Sequence, residues 1–407
     1  MIDVPSLVDH LFRRSAGRMT ATLARILGAD HLDLAEDVVQ EALATALAQW
    51  PYAGVPDDPE AWLYRVARNR AIDVLRRDTN FRDKERAIVA AFSARDESHA
   101  RFSHELRDDD LQMMLMCCDA RLPAETRLAL TLKCVCGFGV DEIARALLAK
   151  PEAIAQRIVR AKRFIRENAI ELTPPSRDEL MQRLDSLLDV VYLMFNEGYA
   201  ATAGDDLVRR DLVDEAVRLG NELSSHPATS LPKTQALVAL MHLQRARLAA
   251  RVDAAGDLLL LDEQDRSLWD RDAIERGMKH FELAASGDEL SRFHVEAEIA
   301  MEHLFDETNW PRVVELYDDL MSIAPSAVVA LNRAIAIAMV NGPQAGLDEV
   351  SALESELRDY VPLHATIGEL ARRAGDQARA REHFARAADL SSTLPMKRWF
   401  TKRSANG

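Results

Sequence analysis

The sequence lacks several features that would assign it to a common class of protein. Aromatic residues make up only 6% of its 407 residues, while alanine and leucine dominate, and this composition favours helices over sheets. No segment approaches the ~20 consecutive apolar residues that a membrane helix needs. The first residues have neither a basic start nor an apolar run behind it, so no signal peptide is expected. These absences predict an all-helical protein of the cytoplasm.

Motifs typical of enzymes are also absent from the sequence. There is no HExxH zinc motif, no phosphate-binding loop, no nucleophile elbow and no paired metal motif. His294 and Glu298 have the i, i+4 spacing of metal ligands, but a lone pair of this kind is more often a surface contact. We therefore expect no catalytic residues, no metal site and no cofactor.

Only four cysteines occur in the chain, Cys117 next to Cys118, and Cys134 close to Cys136. This spacing does not match a zinc knuckle, and both pairs lie in apolar stretches of helical character. Free cysteine behaves as a small hydrophobic residue. The sequence therefore predicts four buried free thiols rather than a zinc or redox site.

Charge is distributed unevenly along the chain. The formal net charge of −15 argues at first against a nucleic-acid partner. Residues 1–170 are almost neutral, however, with 25 basic and 26 acidic side chains, so the remainder carries nearly the whole acidic excess. Because salt screens charges beyond about 8–10 Å, a local basic surface can still bind phosphate.

The hydrophobic pattern divides the chain into four parts. Residues 1–77 contain three predicted helices, with a proline-rich loop at 50–58 before the third. Residues 78–108 carry charges of both signs without an apolar stripe, which predicts a flexible linker. Helical periodicity returns at 109–173 and ends at Pro174 and Pro175, which cannot continue a helix. Residues 174–407 are then helix after helix.

A weak repeat appears towards the end of this last part. Tyr317, Val350 and Phe384 are spaced by 33 and 34 residues. Small residues around Phe384 have the spacing of tetratricopeptide repeats, where two helices approach closely. We therefore expect a large helical, repeat-like domain at the C-terminal end.

Residues 139–163 have the pattern of a helix-turn-helix. Apolar residues face inward on both helices, and Pro151 suits the first turn of the second helix. Five basic residues and no acidic one occur between Arg157 and Arg166. The second helix is therefore expected to enter the major groove of DNA. The residues placed for base edges or phosphates are Glu152, Ala153, Gln156, Arg157, Arg160 and Arg163.

The third helix is predicted from about Pro59, which suits a first turn, to Arg77, and its residues 62–77 are also basic on the outer side. Arginine can grip phosphate with two hydrogen bonds, and asparagine can pair with a base edge. The composition alone is more typical of a solvated helix face. The candidate DNA-binding residues here are Trp62, Arg65, Arg68, Asn69, Asp73, Arg76 and Arg77.

Taken together, these segments resemble a known family. The run AEDVVQEALATALAQW, followed by DPEAWLYRVARNRAIDVLRR, is similar to region 2 of extracytoplasmic-function sigma factors. The run LPAETRLALTLKCVCGFGVDEIARALLAKPEAIAQRIVRAKRFIR is similar to their region 4. The later segments YLMFNEGYAA and LDEQDRSLWDR resemble the subgroup with a long tetratricopeptide-like C-terminal extension. The resemblance covers nearly the whole chain.

The resemblance implies a sigma factor, which directs core RNA polymerase to specific promoters. Asp37, Gln40 and Glu41 match the positions that dock on the clamp helices of the polymerase β′ subunit, and region 4 would contact the β flap. The helix at 62–77 matches the element that binds the melted −10 strand, and the loop at 51–58 matches the one that holds a flipped-out base.

Region 4 of the family reads the −35 duplex with the helix that corresponds to residues 151–166. The chain departs from the family at Leu148, because the turn of the helix-turn-helix usually has glycine there. The competing interpretation of the whole chain is a helix-turn-helix transcription regulator with a repeat-type sensor domain, which would not need the region 2 helices.

The acidic C-terminal domain allows two interpretations, a stabilising scaffold or a regulator that binds a protein or a small molecule. Two motifs rich in aromatic and polar residues are candidates for a partner groove, and the packing of bulky turns explains them equally well. The groove residues would be Phe195, Asn196, Glu197, Tyr199 and Trp269.

Overall fold

The computed structural model describes residues 4–28, 31–77, 113–119, 121–168, 170, 177–201, 207–253, 257–287 and 289–406. In these residues every regular element is a helix, which confirms the all-α prediction. The predicted linker at 78–108 and the paired prolines at 174–175 lie outside the described residues. The chain divides into two compact units, Met1–Met194 and Phe195–Gly407.

The first unit begins with three mutually packed helices, α1 (Val4–Leu27), α2 (Leu32–Ala53) and α3 (Pro59–Arg77). One face of α2 is buried from Leu32 to Trp50 at helical spacing, so its other face is left outward. α3 begins where predicted, because Pro59 suits a first turn and the Asp58 carboxylate accepts the Ala61 N–H at 2.9 Å.

The connection between α2 and α3 is shorter than its prolines predicted. Residues 51–53 complete the last turn of α2 instead of forming loop. The helix ends at Gly54, which has a φ of 85° and whose N–H donates to the Trp50 carbonyl at 3.1 Å. Pro51 is tolerated because it stands in the final turn, where the missing N–H removes a single helical bond. The loop is therefore confined to residues 54–58.

The rest of the first unit contains a helical turn at 113–117 and the helices α4 (Ala124–Cys134), α5 (Val140–Ala146) and α6 (Pro151–Glu167). α5 and α6 form the predicted helix-turn-helix, with Ile143 buried on the first helix and Ile154 and Ile158 on the second. The four cysteines of this region are free and buried, as predicted.

The turn between α5 and α6 has a regular geometry in spite of Leu148. The Ala149 N–H donates to the Ala144 carbonyl at 2.8 Å, and the Leu148 N–H donates to the Arg145 carbonyl at 3.2 Å. This arrangement ends many helices and normally has glycine in the left-handed position. Leu148 adopts that conformation itself, with a φ of 49°.

The helix α7 (Arg177–Tyr199) crosses the division between the units, and the second unit continues with α8 (Arg210–Ser225), α9 (Pro232–Arg245), α10 (Arg271–Ala284) and α11 (Arg292–Glu302). Residues 234–243 of α9 are all buried, so this helix forms the centre of the unit's core. Short 3-10 turns at Leu248–Ala250, Leu261–Glu263 and Arg266–Leu268 connect α9 to α10.

Three consecutive helix pairs complete the second unit. They are α12 (Trp310–Ile323) with α13 (Ala327–Asn341), α14 (Pro343–Ser351) with α15 (Val361–Ala374), and α16 (Gln377–Leu390) with α17 (Leu394–Asn406). The first helices of the pairs start 33 and 34 residues apart, which is the spacing predicted from Tyr317, Val350 and Phe384. Close packing explains the small residues, since a Cβ at Gly368 would lie 2.8 Å from the Phe384 ring.

The last helix, α17, is tied by charge to the loop before α10. Arg398 and Lys402 both contact the buried Asp257, at 3.0 and 2.5 Å, although they follow it by more than 140 residues. Arg403 contacts Glu263 at 3.1 Å in the same way. Ion pairs therefore join the last helix of the three pairs to the segment before α10 in the same unit.

Candidate functional site

The predicted polymerase-binding residues lie on the outward face of α2. Asp37, Gln40 and Glu41 are all exposed, at the i, i+3, i+4 spacing that places them on one side of a helix. Glu41 also accepts a hydrogen bond from Arg70 of α3, and this bond, with the charge of Glu41, raises the pKa of Arg70. One member of the acidic face is thus held by the neighbouring helix.

The predicted −10 residues lie mainly along one exposed line of α3, composed of Arg65, Asn69, Asp73 and Arg76. The two others with described side chains are half-buried: Arg68 lies 3.4 Å from the Asn69 side-chain oxygen, and Trp62 packs edge-on against Trp50 with ring centroids 5.3 Å apart. The side chain of Arg77 lies outside the described residues.

Sequence reasoning missed Tyr52 in this region. Its side chain is 93% exposed at the end of α2, beside the loop at 54–58. An exposed aromatic face can stack on an unpaired base. The helical spacing could have predicted its exposure, because Ala46 and Trp50 continue the buried face of α2 and residue 52 lies outside that face.

The predicted −35 residues form two groups on α6, one exposed and one half-buried. Glu152, Gln156, Arg160 and Arg163 are exposed on one side of the helix. Ala153 is half-buried. Arg157 is also half-buried, and it forms an ion pair with Glu125 of α4 at 2.5 Å. It must exchange this carboxylate for a phosphate if it is to contact DNA.

Sequence reasoning also missed Val159, which is 59% exposed on α6 between Ile158 and Arg160. An apolar side chain on the outer side of a helix in the major groove can contact the methyl group of thymine. The signal was its place outside the apolar stripe formed by Ile154, Ile158 and Ala161.

The part of the first unit that contains α1–α3 contacts the part that contains α4–α6. Lys162 of α6 places its ammonium 2.9 Å from the Asp33 carboxylate and 2.7 Å from the Glu36 carboxylate, both on α2. Burial lowers the pKa of Lys162, but Cys134, Glu36 and Asp33 outweigh this effect and the net shift is upward. Asp33 and Glu36 belong to α2, the same helix that carries the exposed residues Asp37, Gln40 and Glu41.

A second contact between these parts involves backbone atoms alone. Gly17 of α1 approaches the residue after α4 so closely that a Cβ at position 17 would lie 1.7 Å from the Val135 carbonyl oxygen. Only glycine permits this approach without movement of one backbone.

The first C-terminal motif is largely part of the second unit's core. Phe195 and Glu197 are buried, whereas Asn196 and Tyr199 are half-buried. Glu197 lies 3.6 Å from Arg209.

The second motif builds the turns before α10. Trp269 is buried, and the guanidinium carbon of Arg266 lies 4.6 Å from the centre of its ring. Asp265 accepts the Ser267 N–H at 2.9 Å, and Asp270 accepts the Ala273 N–H at 3.0 Å as the cap of α10. Most of this motif is therefore explained by turn geometry.

The pair His294 and Glu298 has other partners. The His294 ring lies 3.2 Å from the Ala284 carbonyl and 2.8 Å from the Ser291 hydroxyl, and Glu298 pairs with Arg312 at 2.8 Å. Across the described ranges, no group of three or more potential ligands is arranged to hold a metal ion. Nor does any helix in this part of the chain have the length and apolar character to cross a bilayer.

Three family models match the chain. Residues 11–81 match Sigma-70 region 2, residues 112–165 match Sigma-70, region 4, and residues 183–285 match a family of unknown function, DUF6596. The chain is 37% identical over 372 residues to Uncharacterized protein R00370 of Rhizobium meliloti (strain 1021), an alignment that covers 89% of this chain and 87% of that protein. No solved structure matches.

The region 2 match distinguishes the chain from helix-turn-helix regulators, which lack that set of helices. Regions 2 and 4 occur in the order and with the helical content that the sequence predicted. The chain belongs to the sigma-70 family, as a sigma factor of the extracytoplasmic-function type that acts in promoter-specific transcription initiation and carries a C-terminal extension with a DUF6596 domain.

Proposed function

We propose that this sigma factor binds core RNA polymerase through the acidic face of α2 and places α3 and α6 on the two elements of one promoter. The observation that carries the proposal is that two helices of the first unit each direct a line of arginine and amide side chains outward while the opposite face is buried. Arginines of this kind fix the position on phosphates, and amides select bases.

Docking on the polymerase is assigned to Asp37, Gln40 and Glu41, with the β′ clamp helices as their partner and the β flap as the partner of region 4. The exposure of all three side chains on one helix face supports this assignment. Since the partner is the transcription machinery, the protein acts in the cytoplasm.

The −10 strand is assigned to α3 and to the loop at 54–58. Bases that leave the stack cost a few kcal/mol, which stacking on an aromatic ring partly offsets. Tyr52 is exposed beside the loop and supplies such a ring. The −35 duplex is assigned to Gln156, Arg160 and Arg163 of α6, with Glu152 nearest the start of the helix.

Run-off transcription with purified core polymerase tests the proposal. The full-length protein should direct transcription from a cognate promoter. Asp37→Arg should weaken binding to core polymerase by tenfold or more, because a positive charge would replace a negative one in the interface. Asp178→Arg is the matched control, since it reverses an exposed acidic residue of α7 to which no contact is assigned. If the protein binds core but stimulates no promoter in a genomic library, the proposal is wrong.

We further propose that the second unit regulates the activity of the first. Its acidic excess and its helix pairs suit binding to a partner or to basic surfaces. Removal of this unit tests the role, and the structure indicates where to truncate. Arg183 of α7 donates to the Leu115 carbonyl at 2.9 Å and pairs with Asp119 at 3.5 Å, so the first part of α7 belongs to the first unit.

The truncation should therefore end after Tyr199 rather than before α7. A higher yield of transcript would support inhibition by the second unit, and a lost yield would support a requirement for it. An unchanged yield would contradict a regulatory role and leave a scaffold.

A further inference from the structure

An arginine–tyrosine cluster in the second unit, formed by Tyr199, Arg247 and Arg251, has no part in promoter recognition as proposed. Tyr199 ends α7, and the two arginines flank the 3-10 turn Leu248–Ala250. The guanidinium carbon of Arg251 lies 3.8 Å from the centre of the Tyr199 ring, and Arg247 Nη2 lies 3.4 Å from the Tyr199 hydroxyl. Two distant stretches of chain thus meet at one phenol.

The cluster brings two positive charges together, and no carboxylate of the described residues pairs with either of them. In the part of the chain that the structure describes, neither Arg247 nor Arg251 forms an ion pair. Nearby arginines differ, since Arg209 lies 3.6 Å from Glu197 and Arg245 lies 3.0 Å from Asp214. Enclosed charges are normally paired because desolvation is costly. An anion from outside the described chain would supply the missing partner.

Buried donor atoms at the cluster lead to the same conclusion. The Nε atoms of Arg247 and Arg251 are screened from solvent and have no hydrogen-bond partner among the described residues. Buried polar atoms in folded proteins nearly always have partners.

Tyr199 responds to the positive potential of the two arginines. Burial raises the pKa of its hydroxyl, but Arg251 and Arg247 outweigh burial and the net shift is downward. A location that favours the ionised form of a phenol also favours another negatively charged oxygen. The potential therefore suits an anionic ligand and disfavours a cationic one.

We propose that the arginine–tyrosine cluster binds the oxyanion group, carboxylate or phosphate, of a small molecule. A planar guanidinium matches both groups with paired hydrogen bonds, and the Tyr199 hydroxyl supplies one more donor. This inference rests on the regulatory role proposed for the second unit and gives that role a ligand chemistry. Binding can nevertheless be measured without transcription.

Calorimetric titration of the full-length protein tests the inference. Inorganic phosphate and acetate are titrated in separate arms, each against chloride at equal ionic strength. We expect saturable binding in at least one arm, and the arm that binds identifies the phosphate or the carboxylate class. The double variant Arg247→Gln with Arg251→Gln should weaken binding at least about tenfold, since it removes charge-assisted hydrogen bonds.

The control is Arg245→Gln, which removes one positive charge from an arginine that has carboxylate partners. It should leave anion affinity unchanged. If the double glutamine variant does not fold, replacement of both arginines by lysine keeps the charges and removes the planar forks. That variant should also weaken binding at least about tenfold.

Three results would overturn the inference: no saturable binding in either arm, equal affinity in wild type and the double variant, or binding that appears only in Asp205→Asn with Asp206→Asn. Asp205 and Asp206 lie outside the described residues. Binding only in their double asparagine variant would mean that carboxylates of the chain itself occupy the cluster. Intact anion binding with an unchanged transcript yield on truncation would instead contradict the regulatory role alone.

Discussion

Leu148 occupies a backbone conformation that leucine rarely adopts, and it is the single non-glycine residue with a positive φ among those the structure describes. A Cβ in the left-handed region costs about 1–2 kcal/mol. The side chain is 55% exposed, so glycine would sacrifice little packing. We expect Leu148→Gly to stabilise the helix-turn-helix by about 1 kcal/mol, less than the strain because glycine loses more entropy on folding.

Hydrogen exchange of α5 and α6, measured by mass spectrometry, checks this prediction without interference from the second unit. Protection of these amides should rise by roughly fivefold, which corresponds to about 1 kcal/mol. Leu148→Ala is the control, because alanine removes the same exposed atoms and keeps the Cβ. Equal protection in both variants would show that the Cβ is not the source of strain.

His242 makes the stability of the second unit depend on pH. Burial, followed by the charge of His280, lowers its pKa to about 4, below the value of about 6.5 in an unfolded chain. The unfolded state therefore binds a proton first, and stability is lost as the pH falls from about 6.5 towards 4. The groups around the ring are Asn221 at 3.4 Å, the stacked His280, and the charged Arg276, Arg245 and Asp270.

Scanning calorimetry at pH 7 and pH 5 measures this dependence. His242→Gln should reduce the drop in the melting temperature of the second unit between the two pH values, because glutamine does not titrate. His226→Gln replaces an exposed histidine of the same unit and should leave the drop as in the wild type. A drop of equal size in all three proteins would assign the dependence to other groups.

At the scale of single elements, we expect different residues of α6 to determine the affinity for DNA and the specificity for its sequence. Arg160 is exposed and placed for phosphate, so Arg160→Ala should weaken binding to all duplexes and reduce the salt slope by about 1. Gln156 is exposed and placed for a base edge, so Gln156→Ala should cost about 1–3 kcal/mol on the cognate duplex only.

Fluorescence anisotropy with cognate and scrambled −35 duplexes over a range of salt checks both variants. The comparison fails if Gln156→Ala weakens both duplexes equally, which would move this residue from base reading to phosphate contact.

Elements with strong local signals were predictable in detail. α3 has the predicted start because Asp58 and Pro59 set it and an unbroken apolar stripe follows. The loop before it was predicted too long, since a proline in the last turn of α2 was taken as the start of the loop. The helix pairs were predictable because close packing fixes similar positions every 33 or 34 residues.

At the scale of the whole first unit, the contact of Lys162 with Asp33 and Glu36 conflicts with simultaneous reading of both promoter elements. The −10 and −35 elements are separated by roughly 25 base pairs, about 85 Å of duplex at 3.4 Å per base pair. Regions whose side chains touch cannot span that distance. Under the proposed function, the first unit therefore has to open before α3 and α6 engage one promoter.

Zero-length carbodiimide coupling measures the opening, because it links lysine to a carboxylate only in direct contact. Lys162 should couple to Asp33 or Glu36 in the isolated protein and lose most of this product in the complex with core polymerase and promoter DNA. Gly17→Ala should also reduce it, since the added Cβ would meet the Val135 carbonyl oxygen.

The coupling of Lys402 to Asp257 in the second unit is the internal control and should keep its yield. An undiminished Lys162 product in the promoter complex would contradict opening.

Contacts between distant segments could not be predicted from the sequence. Lys162 contacts carboxylates that lie 129 and 126 residues away in the sequence, and Tyr199 contacts Arg247, which follows it by 48 residues. No local sequence pattern predicts either contact. Exposed positions such as Gln156 and Arg160 were predictable because helical spacing alone decides which way they face. Arg157 was harder, since its partner Glu125 stands on another helix.

The ion pairs between α17 and Asp257 determine when the second unit can fold during synthesis of the protein. Arg398 and Lys402 belong to α17, so the second unit cannot complete its folding until this helix has been synthesised. At about 5–20 residues per second, the stretch from Phe195 to Gly407 takes about 10–40 s to synthesise. During that interval the first unit has already been synthesised, and α3 and α6 are present in the nascent chain before the second unit has folded.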